Sequence, residues 1–279
     1  MPRTASFRIS RRRMARMTAG TLLAAGVWPG AVAARAGLGR REVSSFEFLV
    51  VNDLHHMSPE CTIWLRRVAA QLGRHDSARF VLLLGDLSDT GAMTSFQAVR
   101  EIFGTLSVPV RFQIGNHDYA SPTDRSAYLK VFPNQLNYWF RYKGWQFVGL
   151  DTTEGQKYEK TLIQPDTFSW VHRNLRHLRH ERPLVLFTHF PLGEGVQYRP
   201  ENADALLDLF RDYNLRAVFS GHFHSLTERS NRGGIPFTTN RCCSLKRGNH
   251  DGTKEKGYFL CRAGADGGVS HEFVEVKPG

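Results

Sequence analysis

Side chains that can bind metal ions recur where apolar segments of this 279-residue chain end. Aspartate, asparagine and histidine occur there in short groups, each directly after a run of strand-forming residues. Histidine nitrogens together with carboxylate and amide oxygens suit iron, manganese or zinc better than magnesium. The groups are Asp53-Leu54-His55, Gly85-Asp86-Leu87-Ser88-Asp89, Gly115-Asn116-His117-Asp118, Thr188-His189 and Gly221-His222-Phe223-His224. The pattern predicts a metal centre that is assembled from five places in the chain.

The spacing inside two of these groups indicates shared ions. In an extended segment, residues two apart point to the same side, so Asp53 and His55 could reach one ion, and so could His222 and His224. Each short motif by itself is common in proteins and is usually an ordinary cap or a surface histidine. Five in succession favour a site. The carboxylate of Asp86 can offer its two oxygens to two ions.

The elements that must position these groups follow an α/β pattern. Strand-like runs occupy residues 46–51, 80–84, 108–114, 147–150, 184–187 and 217–219. Helical periodicity occupies residues 63–72, 95–106, 168–178 and 203–212. The alternation predicts an α/β fold, in which binding sites lie beyond the ends of the strands. Strand-like pieces at 236–239, 257–262 and 269–276 have no helix between them and predict an antiparallel, β-rich continuation of the sheet.

Taken in order, the five groups resemble the five motifs of the calcineurin-like metallophosphoesterase superfamily, over roughly residues 46–225. The resemblance implies two mixed β-sheets packed as a sandwich and flanked by helices. The second and third groups are similar to those of bacterial class III cyclic-nucleotide phosphodiesterases. Purple acid phosphatases carry glycine and tyrosine where this chain has His55 and Asp89, which excludes that branch.

The resemblance also implies a role for each residue. One metal ion would be held by Asp53, His55, Asp86 and His224, and the other by Asp86, Asn116, His189 and His222. A hydroxide bridging the two ions would attack the phosphorus. His117 would face the phosphate, with Asp118 orienting its ring.

A second Gly-Asn-His-Asp sequence occurs at residues 248–251. It lies after the last metal motif, and no apolar strand leads into it, so a solvated loop is the favoured interpretation. The alternative is that Lys246, Arg247 and His250 line the pocket and contact a phosphate or a leaving group.

The formal charge of +11 is concentrated at the amino terminus. Residues 1–36 contain seven arginines and no acidic residue, and without them the charge is +4. Arg11, Arg12 and Arg13 precede a weakly apolar segment and small-residue cleavage patterns, which resemble a twin-arginine signal peptide. We therefore expect a signal at 1–36, a linker at 37–44, a catalytic domain at 45–279, and export to the periplasm or medium by the twin-arginine machinery.

These features predict an enzyme that hydrolyses a small phosphodiester, with a phosphomonoesterase as the first alternative. The modest charge of the remainder and the lack of an added domain count against a nuclease or a sequence-specific nucleic-acid partner. A non-catalytic metal-binding module is disfavoured because every motif residue is present. The four cysteines have no zinc-ribbon spacing. Specificity is expected to lie in loops 119–137, 152–166, 190–201 and 241–256. The sequence leaves the oligomeric state open.

Overall fold

Hydrophobic strands alternating with amphipathic helices organise residues 43–231 and 233–277, the part of the chain that this computed structural model describes. The predicted signal peptide and most of the predicted linker lie outside the described residues, so both stay predictions. Within the described part, no helix has the length and apolar character needed to cross a membrane.

The structure contains eleven strands and five α-helices in its described part. The strands are β1 (Phe46–Val51), β2 (Ala78–Leu84), β3 (Val110–Gln113), β4 (Tyr138–Tyr142), β5 (Trp145–Leu150), β6 (Leu184–Thr188), β7 (Leu215–Ser220), β8 (Thr227–Ser230), β9 (Pro236–Thr239), β10 (Gly257–Ala263) and β11 (Val269–Glu275). The helices are α1 (Pro59–Leu72), α2 (Met93–Phe103), α3 (Ser126–Val131), α4 (Pro165–Asn174) and α5 (Ala203–Asp208).

The strands form two mixed sheets. The first has the order β11-β10-β1-β2-β3, in which β1, β2 and β3 are parallel and β10 and β11 are antiparallel. The second has the order β4-β5-β6-β7-β9-β8, in which β5, β6, β7 and β9 are parallel and the two edge strands are antiparallel. The predicted fold of two mixed sheets with flanking helices is confirmed.

Strand β1 shows why the sheets form the centre of the fold. Phe46, Phe48 and Val50 point to one side and pack in the core between the two sheets. Leu49 and Val51 point to the other side, into the core shared with α1 and α2. Side chains alternate across a strand, so a strand that is apolar at nearly every position must be covered on both faces. A third core packs the outer face of the second sheet against α4 and α5.

Two strands and one helix were not predicted from the sequence. Strand β4 carries half-buried aromatic side chains at an edge of the second sheet, and β8 consists of mostly exposed polar residues at its other edge. Neither has the apolar run or the clean alternation that marks a strand in sequence. Helix α3 has only six residues, too few to show a helical period.

The carboxyl-terminal strands divide between the two sheets. Strands β10 and β11 continue the first sheet in antiparallel fashion, as predicted. Strand β9 instead pairs with β7 in parallel in the second sheet, so the prediction of one antiparallel continuation was wrong for this strand. Pairing partners depend on where the chain returns in three dimensions, which a short strand pattern does not encode.

Candidate metal centre

The predicted metal ligands converge beyond the carboxyl ends of strands from both sheets. One group of possible ligand atoms belongs to Asp53, His55, Asp86 and His224, and a second to Asp86, His189 and His222. Within each group the ligand atoms lie within 4.8 Å of one another. Asn116 joins the second group through its side-chain oxygen, 3.1 Å from Nε2 of His189. Asp86 belongs to both groups, which is the arrangement that the sequence analysis expected.

Nitrogen and oxygen atoms of the first group face each other at short range. Nε2 of His224 lies 3.1 Å from Oδ1 of Asp53, and Nε2 of His55 lies 3.4 Å from Oδ2 of Asp86. The two Nε2 atoms are 3.2 Å apart. All four residues are buried. Donors that converge this closely around a common point can serve as the ligands of one ion.

The second group repeats this arrangement on the other side of Asp86. Nε2 of His189 lies 3.3 Å from Oδ1 of Asp86 and faces Asn116 as well. The rings of His189 and His222 have centroids 5.1 Å apart. Oδ2 of Asp86 faces the first group while Oδ1 faces the second. One carboxylate is therefore placed to contribute an oxygen to each of two ions.

Hydrogen bonds on the outer side of each ring fix which nitrogen faces the centre. Nδ1 of His189 lies 2.8 Å from the carbonyl oxygen of Leu84, and Nδ1 of His224 lies 3.2 Å from that of Gly248. A carbonyl only accepts, so these Nδ1 atoms carry the proton and Nε2 is left as the ligand atom. In His222 it is Nε2 that donates to a carbonyl, that of Tyr158 at 2.8 Å, which leaves Nδ1 as its ligand atom.

The backbone of the ligands differs from the expected extended form. Asp53, His55, Asp86, His222 and His224 all have positive φ angles, between 45° and 65°. Left-handed backbone in residues other than glycine costs of order 1–3 kcal/mol each and is concentrated at functional sites. The assumption that residues two apart project from extended chain was wrong here, although both pairs still converge. The convergence comes from tight turns directly after the strands.

Gly85 allows the turn that follows β2. Its φ is +84°, which side chains other than glycine rarely adopt. A Cβ at this position would also lie 2.6 Å from Nδ1 of His189. The glycine therefore lets the chain turn and lets the His189 ring pack directly against it.

The charge states of the ligands suit a cation. Burial raises the pKa of Asp53 and Asp86, but neighbouring histidines, His224 for Asp53 and His189 for Asp86, outweigh it and lower both pKa values. Burial lowers the pKa of His222 to about 3, so this ring is neutral. Burial also lowers the pKa of His224, but Asp53 outweighs it and raises the value to about 11. A cation beside Asp53 would take the place of that proton.

The donor set therefore fits two metal ions. Carboxylates are deprotonated, outer ring nitrogens are engaged by acceptors, and the inner nitrogens converge with carboxylate and amide oxygens. Mixed nitrogen and oxygen ligands of this kind suit iron, manganese or zinc. The assignment of the individual residues to the two ions stays a prediction.

His117 lies beside the centre, but Asp118 does not orient it. Nδ1 of His117 lies 2.9 Å from the carbonyl oxygen of Asp89. The carboxylate of Asp118 instead accepts the backbone N–H groups of Ser88 and Gly115, each at 2.8 Å. Burial, and then the charge of Asp86, raise the pKa of Asp118 well above its usual value. Asp118 thus holds two loops together through backbone hydrogen bonds.

Asp89 contacts His117, the ring that Asp118 was predicted to orient, and it also orients His55. Its Oδ1 atom accepts Nδ1 of His55 at 3.0 Å, which leaves Nε2 of His55 for the metal centre. Its carbonyl holds His117, and its side chain is 13% exposed. Asp89 belonged to the quoted second motif, so a signal for it was present, but it was not assigned to the site.

The second Gly-Asn-His-Asp sequence is an irregular loop, as predicted, yet it packs directly on the centre. The carbonyl of Gly248 accepts Nδ1 of His224, and the backbone N–H of His250 donates to the carbonyl of His224 at 2.9 Å. The guanidinium of Arg247 donates to Asp89. The loop is therefore solvent-exposed, as predicted, and it also contacts the predicted metal ligands. No sequence pattern marks a backbone carbonyl as a partner of a distant histidine.

The two-sheet sandwich thus carries clustered histidine and carboxylate side chains beyond its strand ends. The Calcineurin-like phosphoesterase family matches residues 46–226, and the chain belongs to this family. Divalent metal ions are a property of the family, and the clusters above are a possible site for them.

Curated relatives are similar over much of the chain. The 3',5'-cyclic adenosine monophosphate phosphodiesterase CpdA of Pseudomonas aeruginosa is 27% identical over 73% of this chain and 75% of its own length. The glycerophosphodiester phosphodiesterase GpdQ of Enterobacter lignolyticus is 26% identical over 57% of this chain and 61% of its own. Among solved structures, a dimetal phosphatase from Danio rerio has a TM-score of 0.62 at 15% identity, covering 85% of this chain and 100% of that one. This last likeness concerns the fold alone.

Proposed function

We propose that the chain hydrolyses small phosphodiesters with a centre of two transition-metal ions. The observation that carries this proposal is the position of Asp86, whose two oxygens face two separate ligand groups. A carboxylate shared in this way is what a pair of closely spaced ions requires. The ions proposed are iron, manganese or zinc, because histidine nitrogens supply much of the ligand set.

The first ion would be held by Asp53, His55, Asp86 and His224, and the second by Asp86, Asn116, His189 and His222. Two ions at this point would supply positive charge for the phosphoryl oxygens and lower the pKa of bound water. The protein contributes the fixed geometry: outer hydrogen bonds hold each ring in one orientation before a substrate arrives.

His117 is proposed as the group that meets the phosphate. Its side chain is 32% exposed, whereas the ligand rings beside it are buried. Nδ1 carries its proton toward the carbonyl of Asp89, so Nε2 is the atom available to a substrate. Oδ1 of Asp89 lies 3.9 Å from the same Nδ1 atom. With a proton on Nε2, the ring can donate to a phosphoryl oxygen or pass that proton to the departing oxygen.

Phosphodiesters are favoured over monoesters because both similar proteins described above are named for diester hydrolysis. A phosphomonoesterase of the same fold is the alternative. A nuclease is disfavoured because the chain without residues 1–36 carries a charge of only +4, and each phosphate contact on a polymer needs a positioned cation.

Turnover of four substrates tests the proposal. Purified metal-loaded protein is assayed with bis-p-nitrophenyl phosphate, p-nitrophenyl phosphate, cyclic AMP and single-stranded DNA, each at two salt concentrations. We expect a small diester to be the best substrate, with a turnover that depends only weakly on salt. Monoester turnover far above both diesters would reverse the ranking, and salt-sensitive cleavage of DNA as the best activity would establish a nuclease.

We also propose that the protein is exported through the twin-arginine machinery. The support is the run Arg11-Arg12-Arg13 before a weakly apolar segment, and a metalloenzyme benefits from folding around its ions before it crosses the membrane. Replacing the three arginines with lysine should retain the protein inside the cell. Unchanged export of this variant would point to the general secretory route.

A further inference from the structure

Four ring side chains stand beside the metal-centre histidines, and none of them belongs to the predicted ligand set. They come from different segments of the chain, three of which were expected to govern specificity. We call this group the aromatic rim, and it consists of Tyr158, Tyr198, Phe223 and His250.

The rim is continuous with the metal centre. Tyr198 lies in the middle, with ring centroids 6.3 Å from Tyr158, 5.9 Å from Phe223 and 6.1 Å from His250. Its ring is also 5.2 Å from that of His222. These spacings fall in the range of offset and edge-to-face ring contacts.

Both sides of the rim are attached to predicted ligands. His250 lies 5.5 Å from the ring of His224, and its backbone N–H donates to the carbonyl of that residue. The carbonyl of Tyr158 accepts Nε2 of His222 at 2.8 Å. The rim is therefore close enough to the centre for one molecule to place a ring in the rim and a phosphate at the centre.

The rim keeps ring surface in contact with water. Tyr158 is 56% exposed, His250 is exposed, and Tyr198 and Phe223 are half-buried. The packed cores take up most of the other aromatic side chains of the described residues. Aromatic surface held out of a core at the mouth of a site is a feature of ligand binding.

The backbone at Tyr198 lies in the left-handed region. Its φ is +65°, which is rare for a bulky residue and costs of order 1–3 kcal/mol. The next residue anchors this turn, because Nε of Arg199 donates to the carbonyl of Leu192 at 2.8 Å and its guanidinium pairs with Asp204. The turn holds the Tyr198 ring against His222 and toward the other rim residues.

We propose that the aromatic rim binds a flat ring of the substrate, either a nucleobase or an aryl group, while the phosphorus lies at the metal centre. The inference rests on the proposed phosphodiesterase function and narrows it, since a glycerol ester offers no ring for stacking. Stacking on aromatic side chains tolerates different bases, because every base has a flat π face. Tyr198 is the specificity-determining residue, since it touches every other member of the rim.

Binding without turnover is the first test. Metal-loaded protein is titrated calorimetrically with adenosine 5'-monophosphate and with ribose 5-phosphate, which share a phosphorylated sugar and differ in the base. We expect the nucleotide to bind roughly 5- to 100-fold more tightly, the scale of one base stacked on an aromatic side chain. Tyr198→Leu should remove most of this difference, and Tyr198→Phe should keep it. If Tyr198→Leu fails to fold, His250→Leu takes its place, because His250 is exposed. This variant should reduce the difference in affinity between the two ligands.

A matched control lies at the amino-terminal end of β7, opposite the metal centre. Tyr213 stacks on His180 at 4.2 Å, just before β7 begins, whereas the metal centre lies beyond the end of that strand. Tyr213→Leu should therefore leave the difference between the two ligands unchanged. The proposal would be overturned if the wild-type protein bound both ligands with equal affinity. It would also be overturned if Tyr198→Leu lowered the affinity for both ligands by the same factor.

Turnover separates this inference from the proposed function. The ratio of kcat/KM for cyclic AMP to that for glycerophosphoethanolamine should fall about 5- to 100-fold in Tyr198→Leu. An unchanged ratio in an active enzyme would overturn the proposed role of the aromatic rim and leave the proposed phosphodiesterase function standing. If no phosphate ester is hydrolysed but the nucleotide still binds more tightly, the proposed function fails and the ring-binding subsite stands.

Discussion

The guanidinium of Arg247 donates two hydrogen bonds to Oδ1 of Asp89, from Nε at 2.8 Å and from a terminal nitrogen at 2.6 Å. The same oxygen accepts Nδ1 of His55, a predicted metal ligand. Arg247 lies outside the segment that matches the family, which ends at residue 226. The carboxylate of Asp89 therefore links the loop that contains Arg247 to His55, which follows the first strand.

Replacing Arg247 with methionine should weaken metal binding. Asp89 would lose two charge-assisted hydrogen bonds and would hold His55 less firmly, and changes of this kind typically lower metal affinity about 10- to 100-fold. Arg247→Lys should lie between this variant and the wild type. The affinity is measured by titrating the metal-free protein with Mn²⁺ or Zn²⁺.

Arg262 provides a matched control for this experiment. It pairs with Glu47 in the same way, with both nitrogens directed at Oε1 at 3.2 and 2.6 Å, but on the exposed surface of the first sheet. Arg262→Met should leave the metal affinity as it is. Equal affinities of Arg247→Met and the wild type would show that Asp89 holds His55 unaided.

Asp86→Ala should lose more metal than any other single ligand variant, because this carboxylate faces both groups. Asn116→Ala removes a neutral ligand from the second group only, so it should keep the first ion and lose the second. Metal content per chain after dialysis gives the comparison, with Asp208→Ala on the surface as a control. Full double occupancy in the Asp86 variant would contradict a shared ligand.

His117→Ala should retain both ions and lose turnover. The ring is hydrogen-bonded to the Asp89 carbonyl and is assigned to the phosphate, so its removal leaves the ligand set in place. Loss of a donor at the transition state costs on the order of 100-fold or more in kcat. Metal analysis and steady-state kinetics are run on one preparation. Loss of metal, or a larger kcat defect in His250→Ala, would transfer the role to the second Gly-Asn-His-Asp loop.

Asp251 should make a pH-dependent contribution to stability. Burial raises its pKa, but hydrogen bonds from Thr253 and Arg241 outweigh this and lower it to about 2. The folded pKa is thus below the unfolded value of 3.8, so the stabilisation is complete above that value and is lost as the pH falls through about 2. For an ion pair at the surface it is below about 1 kcal/mol.

Urea denaturation of the metal-free protein and of Asp251→Asn tests this contribution. Metal is left out because protons compete with metal ions for the ligands. The free energy of unfolding of the wild-type protein should exceed that of Asp251→Asn most at neutral pH. This difference should become smaller between pH 4 and 2. A difference that is constant across this range would exclude Asp251 as the titrating group.

The sequence by itself determined most strands and the residues that end them. Six-residue β1 was predicted with its bounds, because it is apolar at five of its positions, and such a run must be buried on both faces. The metal-binding residue types follow five of these runs. Local pattern is enough for this result, since hydrophobic burial and turn chemistry act over a few residues.

Only the tertiary structure decided how these residues divide their roles. Asp89, and not Asp118, contacts His117, and Asp89 also orients His55. The carboxylate of Asp118 instead accepts two backbone N–H groups. The outer partners of His222 and His224 are carbonyl groups of Tyr158 and Gly248, which any residue type could supply. These histidine contacts join residues that are 24 to 64 positions apart in the chain. They depend on how the loops come together where the two sheets pack, and no local pattern in the chain records that geometry.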